Sequence, residues 1–230
     1  MKKFLNNLLS FFYPRLCIGC GDALQQNEQM LCLKCLTHLP ETNYHQEHDN
    51  PLRWIFAGRV PVREVAALLF FKKGNIVQNI LHHLKYKGTK EVGKLLGNYY
   101  GEKLIQEPRF QDIDYIIPIP LHPKKLKKRG YNQSEWIAMG LSQGMQKPYL
   151  NDILTRTQFT ETQTKKSRFN RWENVKEVFA IQNEEQIQGK HLLLCDDVLT
   201  TGATMEAAIQ EILKVPDVTV SVVTLAAANG

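Results

Sequence analysis

Two adjacent carboxylates stand at the end of an apolar run in the C-terminal part of the chain. Residues 192–195 are Leu-Leu-Leu-Cys, and Asp196 and Asp197 follow them directly. A short apolar run bounded by polar residues predicts a buried strand of a parallel sheet. Carboxylates at the end of such a strand can bind sugar hydroxyl groups or a magnesium ion. The alternative is an ordinary strand that ends in surface aspartates.

A turn rich in hydroxyl groups follows the two acids and precedes a segment of good helix formers. Its residues are Thr200, Thr201, Gly202, Ala203 and Thr204. The pattern predicts a junction from strand to loop to helix, with a glycine at the tightest point. Such a junction presents free backbone N–H groups and the positive end of a helix dipole, which together suit a phosphate group. Acids beside a phosphate cradle indicate a phosphorylated sugar as the ligand.

A basic segment follows residues 114–120, which predict a second buried strand ending in prolines. It places five cations within six residues: Lys124, Lys125, Lys127, Lys128 and Arg129. A solvated charge run is the usual interpretation, but open α/β sheets bind ligands in loops at the carboxyl ends of their strands. We predict that this loop, with Lys128 and Arg129, holds pyrophosphate, since a guanidinium can bind two phosphate oxygens at once. Nucleic-acid phosphates would be attracted equally well.

A long polar segment, residues 156–179, follows a short strand predicted at residues 153–156. It contains Arg168 and Arg171, which would share a face if the segment were helical. A loop of this length inside a compact domain is usually functional or disordered. We predict a lid that closes over an anionic substrate and brings the two arginines to it.

Four of the five cysteines form two Cys-x-x-Cys pairs in the first part of the chain. The pairs are Cys17 with Cys20 and Cys32 with Cys35, separated by eleven residues. This spacing allows four thiolates to bind one tetrahedral zinc ion, and a closed site of this kind predicts a structural role. Residues 22–31 are polar and could not form a core, so the metal would supply most of the module's folding energy. Disulfides, an iron–sulfur site and a redox dithiol are the alternatives.

The remaining pattern predicts an α/β core with buried strands and flanking helices, large enough for one domain and a small module. Residues 1–50 would comprise a short amphipathic N-terminal helix, the cysteine module and part of a polar linker at residues 37–53. Residues 51–230 would form the larger domain. Strands are expected at residues 65–71, 114–120, 153–156, 192–195 and 218–227, with helices at residues 76–86, at residues 91–105 and from about residue 133.

Composition places the chain among soluble globular proteins. Hydrophobic residues make up 43% and charged residues 23%, both ordinary values. No apolar run approaches the roughly 20 residues of a membrane span. Asn6 and Asn7 interrupt the apolar start and no small-residue cleavage site follows, so we expect a cytoplasmic protein. The net charge of +6 favours acidic ligands without choosing among phosphates, pyrophosphate and nucleic acid.

Residues 192–204 resemble the signature of type I phosphoribosyltransferases: four apolar residues, two acids, two apolar residues and Thr-Thr-Gly-x-Thr. In that family the acids hold the ribose hydroxyls of phosphoribosyl pyrophosphate (PRPP), and the loop holds its 5′-phosphate. The resemblance implies a type I phosphoribosyltransferase-like parallel sheet. It also implies a reaction in which pyrophosphate, bound with magnesium, leaves the anomeric carbon. Asp196, Asp197 and Arg129 are then the candidate catalytic residues.

Further features extend the resemblance over nearly the whole chain. They are the tetracysteine start, PIPLHPKKLKKRGYNQS at residues 118–134, and the R-x-x-x-T-x-x-Q-x-x-x-S-R-x-x-R-x-x-N segment at residues 156–174. In this order they are similar to the ComF family, also called ComF/GntX or amidophosphoribosyltransferase-like. That family implies an N-terminal zinc ribbon and a role in DNA uptake during natural transformation. It also implies a DNA helicase and recombination-mediator proteins as partners.

Three functions fit these features. The first is a phosphoribosyltransferase with an unknown acceptor, and the second is a module of the DNA-uptake machinery that binds PRPP and magnesium without turnover. The third is a single-stranded DNA binder, against which the scarcity of aromatic residues near the basic segment counts. Glutamine is not expected as a substrate, because Lys2 stands where glutamine-dependent amidophosphoribosyltransferases have a cysteine. A homodimer is a further candidate assembly.

Overall fold

The computed structural model describes residues 14–157 and 178–228. The predicted N-terminal helix and the predicted lid arginines, Arg168 and Arg171, lie outside the described residues. The elements follow in chain order: α1 (Leu33–Thr37), a 3₁₀ helix (Pro51–Ile55), β1 (Val65–Phe71), α2 (Ile76–Tyr86), α3 (Glu91–Leu104), α4 (Pro108–Gln111), β2 (Tyr115–Pro118), α5 (Pro123–Arg129), α6 (Gln133–Met145), β3 (Leu154–Thr157), β4 (Val178–Ile181), α7 (Glu184–Ile187), β5 (His191–Leu199), α8 (Ala203–Ile212) and β6 (Thr219–Ala228).

The main sheet is parallel, as the sequence predicted. Its four strands run in the order β1-β6-β5-β2, so β5 lies inside the sheet between β6 and β2. Side chains of β5 point alternately to two apolar layers: Leu193 and Cys195 face one, Leu192 and Leu194 the other. All four are fully buried, which explains why this strand reads as a continuous apolar run and not as an alternating one.

Helices cover both faces of this sheet. Helices α2, α3 and α6 contribute to the apolar layer that contains Cys195, whereas the 3₁₀ helix and α8 contribute to the opposite layer. Helices α3 and α6 approach closely through glycines: a Cβ added to Gly140 would lie 2.2 Å from the Lys94 carbonyl oxygen. This close crossing holds α6, whose first turn faces the end of β5. No helix among the described residues combines the length and apolarity needed to cross a bilayer.

Strands β3 and β4 form a separate antiparallel pair. The sequence predicted β3 but not β4, whose first two residues fell within the polar segment at residues 156–179, because a four-residue strand is too short to show a clear period. The register pairs Thr157 with Val178. The two ends of the described chain that adjoin the predicted lid therefore lie side by side.

Two sequence predictions need correction. The basic segment was predicted as a loop, but Pro123 begins a seven-residue helix that ends at Arg129. Proline is favoured at the first helical position, and Gly130 ends the helix in the left-handed conformation, with φ of 79°. The cations consequently lie on different faces of a helix, and its periodicity determines which of them point in the same direction.

The segment at residues 37–53 was predicted as a polar linker, but it packs against the sheet. Glu41 pairs antiparallel with Leu69 at the edge of β1, and the Thr42 N–H donates to the Leu68 carbonyl over 2.9 Å. Asn50 is fully buried, and its side-chain amide donates to the Val65 carbonyl over 2.8 Å. The polar side chains that suggested a linker satisfy backbone groups at the sheet edge.

Candidate functional site

The two acids lie among the last four residues of β5, which continues to Leu199, beyond the predicted end at Cys195. Asp196 Oδ1 accepts hydrogen bonds from Ser134 Oγ at 2.7 Å and from the Asp197 N–H at 2.8 Å. Asp197 Oδ1 lies 2.8 Å from Lys85 Nζ, in an ion pair whose two side chains are largely buried. Helices α2 and α6 thus each supply one partner, and both carboxylates are held in defined orientations.

Asp196 has a strongly perturbed acidity. Burial, followed by the negative charge of Asp197, raises the pKa of Asp196 to about 7. The hydrogen bonds from Ser134 and from the Asp197 N–H, and the charge of Lys85, act in the opposite direction without cancelling the increase. An acid that titrates near neutrality can gain or lose its charge when a cation or a polar ligand enters the site.

A polar cavity of about 150 Å³ opens in front of the acid pair. Four residues that the sequence assigned to ligand binding line it: Arg129, Asp196, Asp197 and Thr204. The cavity also brings in residues that had no assigned role. These are Lys85, Ile119, Pro120, Leu121, Gln133, Ser134 and Arg156. Lys125, from the basic segment predicted to hold pyrophosphate, lines the cavity as well.

The helical form of the basic segment decides which cations face the cavity. Lys125 and Arg129, four residues apart on α5, share a face and line it, whereas Lys128 is exposed and is not among the lining residues. Arg129 Nη1 donates to Gln133 Oε1 at 2.6 Å, and its guanidinium lies 5.1 Å from the centre of the Tyr86 ring. These contacts position Arg129 at the cavity wall.

The turn after β5 has the geometry of an anion-binding helix start. Gly202 is in the left-handed region with φ of 77°, and a Cβ added to it would lie 2.6 Å from Ile55 Cγ2. Helix α8 begins directly after it at Ala203, and Thr204 lines the cavity while Thr200, Thr201 and Ala203 are exposed. The N–H groups at the start of a ten-residue helix therefore lie next to the acid pair.

The four cysteines converge as their spacing predicted. The four Sγ atoms all lie within 4.8 Å of one another, and those of Cys20 and Cys32 are 3.8 Å apart. Tetrahedral zinc–thiolate bonds of about 2.3 Å place the sulfurs roughly 3.8 Å apart, so this donor set fits zinc. Backbone N–H groups of Cys32 and Cys35 donate to the sulfurs of Cys17 and Cys32. The four residues could hold a metal ion.

The cysteine cluster is joined to the main domain. Cys17, Cys32 and Cys35 belong to the same apolar layer as Ile80 of α2. Asn79, also on α2, donates from its side chain to the Gly19 carbonyl over 2.8 Å. The opposite end of this helix presents Lys85 to the acid pair, so one helix connects the metal-binding cluster with the cavity.

Lys85 and Ser134 are site residues to which the sequence analysis gave no role. Lys85 precedes Tyr86, Lys87 and Gly88, where α2 ends, and a lysine near a helix end is ordinarily solvated. Ser134 belongs to the ComF-like segment, but nothing local indicates that its hydroxyl meets an acid 62 residues later. Only the packing of α2 and α6 into the apolar layer that β5 shares brings these side chains to Asp196 and Asp197.

Comparison with known proteins agrees with this geometry. Residues 133–230 match the family model described as a phosphoribosyl transferase domain. The chain therefore contains a phosphoribosyltransferase domain of type I fold, with a parallel sheet flanked by helices.

The chain is also similar to whole proteins from several bacteria. "DNA utilization protein YhgH" of Escherichia coli O157:H7 is 31% identical over 146 residues, which are 62% of this chain and 63% of that protein. "Competence protein F" of Haemophilus influenzae is 36% identical over 91 residues (39% and 40%), and "Competence protein ComFC" of Bacillus subtilis is 26% identical over 145 residues (61% and 55%). The chain thus spans less than two thirds of these relatives. Their printed names refer to DNA utilization and to competence.

Proposed function

We propose that the cavity binds PRPP with magnesium and that the protein acts in the handling of DNA during natural transformation. The observation that carries the first part is the convergence, in one polar cavity, of an acid pair, the start of α8 and the cations of α2 and α5. The second part rests on the names of the relatives, which refer to DNA utilization and competence.

Each part of PRPP has a complementary group in this arrangement. The N–H groups at the start of α8 would hold the 5′-phosphate, and the carboxylates of Asp196 and Asp197 would accept hydrogen bonds from the ribose hydroxyls. Lys125 and Arg129 would bind the pyrophosphate. Carboxylate oxygens are also the ligands that magnesium prefers, so the donor set fits a PRPP-bound magnesium ion.

Lys85 would have two roles in this scheme. Without a ligand, its ammonium group neutralises Asp197 in a site that is largely buried. With PRPP present, the same group would share the cavity with Lys125 and Arg129, which also line it. It would then add to the positive charge around the leaving group.

Catalysis, if PRPP is turned over, would rely on position and charge. Pyrophosphate would leave the anomeric carbon as the acceptor attacks, and Lys125 and Arg129 would stabilise the negative charge on the departing oxygen. Magnesium would neutralise further phosphate charge. The acceptor is not defined by any described residue, so binding without turnover is the alternative within the same site. Assay of pyrophosphate release against a panel of nucleobases and amines separates the two.

The affinity for PRPP should depend on pH through Asp196. Its raised pKa, about 7, means that the carboxylate is mostly protonated at pH 6 and mostly ionised at pH 8. Because the ionised form is the one that accepts ribose hydroxyls and attracts magnesium, affinity should rise about tenfold between these pH values. Titration calorimetry with PRPP and magnesium measures this change.

Inorganic phosphate is the matched control for this measurement. It would occupy the start of α8 without reaching the acids, so its pH response reports phosphate ionisation alone. A PRPP affinity that changes no more than the phosphate affinity would contradict the role of Asp196. Absence of PRPP binding at either pH would reject the proposed function as a whole.

A single-stranded DNA surface is the second candidate, favoured by one observation. Lys124, Lys127 and Lys128 are exposed on α5 outside the cavity lining, and none has an ion-pair partner within the described parts of the chain. Replacing these three lysines by alanine should weaken single-stranded DNA binding. It should also reduce the steepness of the plot of log affinity against log salt concentration by about 2. PRPP binding should be retained, since Lys125 and Arg129 remain. An unchanged salt dependence would reject this surface.

A further inference from the structure

Arg59 connects the phosphate loop to a distant part of the chain. Its Nη1 donates to the Thr201 carbonyl at 3.1 Å, across 142 residues of sequence, and to the Ile55 carbonyl at 2.9 Å. Its Nη2 forms an ion pair with Glu206 in the first turn of α8. Arg59 thus contacts both the turn that precedes α8 and the helix itself, although it lies outside the matched residues 133–230.

The backbone that presents Arg59 is itself held firmly. The Arg59 N–H donates to the Phe56 carbonyl over 2.9 Å, and the Phe56 side chain is 1% exposed. Ile55 and Phe56 also lie against Gly202, where an added Cβ would be 3.2 Å from Phe56 Cε1. The segment from Ile55 to Arg59 therefore packs on Gly202 and binds the carbonyl of the preceding residue, Thr201.

The charge of Arg59 matters at this position as well. Glu206 would place a negative charge one helical turn from the N–H groups that are to receive a phosphate, and like charges repel at such distances. The guanidinium neutralises Glu206. It also binds the Thr201 carbonyl. Because the Thr201 C=O and the Gly202 N–H point in opposite directions from one planar peptide, this bond fixes the direction of that N–H.

We propose that Arg59 is a positioning residue that orients the turn at residues 200–204 for the 5′-phosphate and neutralises Glu206. This inference rests on the proposed function for its ligand, but its geometric part concerns the loop alone. Arg59 acts through the loop backbone and through Glu206, without touching the sugar.

The test replaces Arg59 by methionine, which keeps the aliphatic stem and removes the guanidinium. Hydrogen exchange of the amides at residues 200–204 should become about tenfold faster, and ribose 5-phosphate should bind about tenfold more weakly by calorimetry. Arg59→Lys should bind ribose 5-phosphate more tightly than Arg59→Met but less tightly than the wild type. A lysine ammonium can reach the Thr201 carbonyl or Glu206, but it lacks the planar guanidinium that contacts both at once. Arg63→Met is the matched control. Arg63 pairs with Asp112 at 2.6 Å, precedes β1 and has similar exposure, so neither readout should change.

Glu206→Gln separates the two parts of the role. In that background Arg59→Met should still weaken ribose 5-phosphate binding, because the bond to the Thr201 carbonyl is still lost. If Arg59→Met had no effect on ribose 5-phosphate affinity in the Glu206→Gln background, the positioning role would be overturned and only charge neutralisation would remain. Unchanged exchange in Arg59→Met would overturn the proposal outright. If the wild-type protein binds neither PRPP nor ribose 5-phosphate, the proposed function fails, and the exchange rates alone decide the role of Arg59.

Discussion

Asp196→Asn and Asp197→Asn are each expected to weaken PRPP–magnesium binding by about tenfold to a hundredfold, and the double substitution by more. Each change removes a charged acceptor for ribose hydroxyls, and such hydrogen bonds contribute about 1.5–3 kcal/mol. The substitutions keep the side-chain shape, and an amide oxygen at position 196 can still accept from Ser134 Oγ, so the fold should persist. Titration calorimetry at pH 8, where Asp196 is mostly ionised, gives the clearest measurement.

The two substitutions should differ in stability. Asp196→Asn removes a carboxylate whose charged form is disfavoured by burial, since its pKa is raised, so thermal stability at pH 8 should be equal or higher. Asp197→Asn leaves the ammonium of Lys85 without its partner in a largely buried site, and stability should fall.

Asp217→Asn is the control for this series. Asp217 is exposed, lies in a turn with φ of 59°, and asparagine tolerates that conformation. The PRPP affinity of the Asp217→Asn variant should equal that of the wild type. Wild-type affinity in the Asp196→Asn/Asp197→Asn double variant would exclude the acid pair from the binding site.

Cys32→Ser is expected to abolish stoichiometric zinc binding and to destabilise the whole chain. The proposed zinc ion would hold four thiolates that lie within 4.8 Å of one another, and Cys32 shares an apolar layer with α2. Structural zinc in small modules contributes on the order of 10 kcal/mol. Part of that loss should reach the main domain through α2. Metal analysis should give about one zinc per wild-type chain and much less in Cys32→Ser, with a fall in melting temperature of many degrees.

Cys195→Ala provides the comparison for the metal measurement. Cys195 is the one cysteine outside the cluster and is fully buried in β5. This variant should keep its zinc even though its core is slightly less well filled. Full zinc content in Cys32→Ser, or no zinc in the wild type, would reject the structural zinc site. Reduced PRPP affinity in Cys32→Ser beyond its loss of folded protein would indicate that α2 transmits the effect to Lys85.

The sequence by itself determined the features whose physical causes are local. The apolar run, the acid pair and the glycine turn at residues 192–204 lie within thirteen residues, and strand burial, turn conformation and helix start each depend on near neighbours. The same holds for the cysteines, because the spacing within each Cys-x-x-Cys pair already brings two sulfurs together. The parallel sheet and the metal-binding cluster could therefore be predicted.

Helix and loop were harder to distinguish where the signals were short. Residues 123–129 carry so many like charges that a loop was expected, yet proline at the start and a left-handed glycine after the end stabilise a helix. That helix turns Lys125 and Arg129 towards the cavity and leaves Lys128 outside its lining. The polar residues before β1 were misjudged for a related reason, since Asn50 bonds to backbone that only the fold brings near.

Tertiary structure alone decided which distant side chains complete the site. Lys85 reaches Asp197 because α2 packs into the same apolar layer as β5. Arg59 reaches Thr201 because Ile55 and Phe56 lie against Gly202. The pKa of Asp196 likewise depends on its burial in the folded chain and on the nearby charge of Asp197. Contacts between residues far apart in sequence follow from how whole elements pack, and no local pattern encodes them. The acids and the phosphate loop could be predicted from the sequence, whereas the charges that balance them and their orientation depend on the fold.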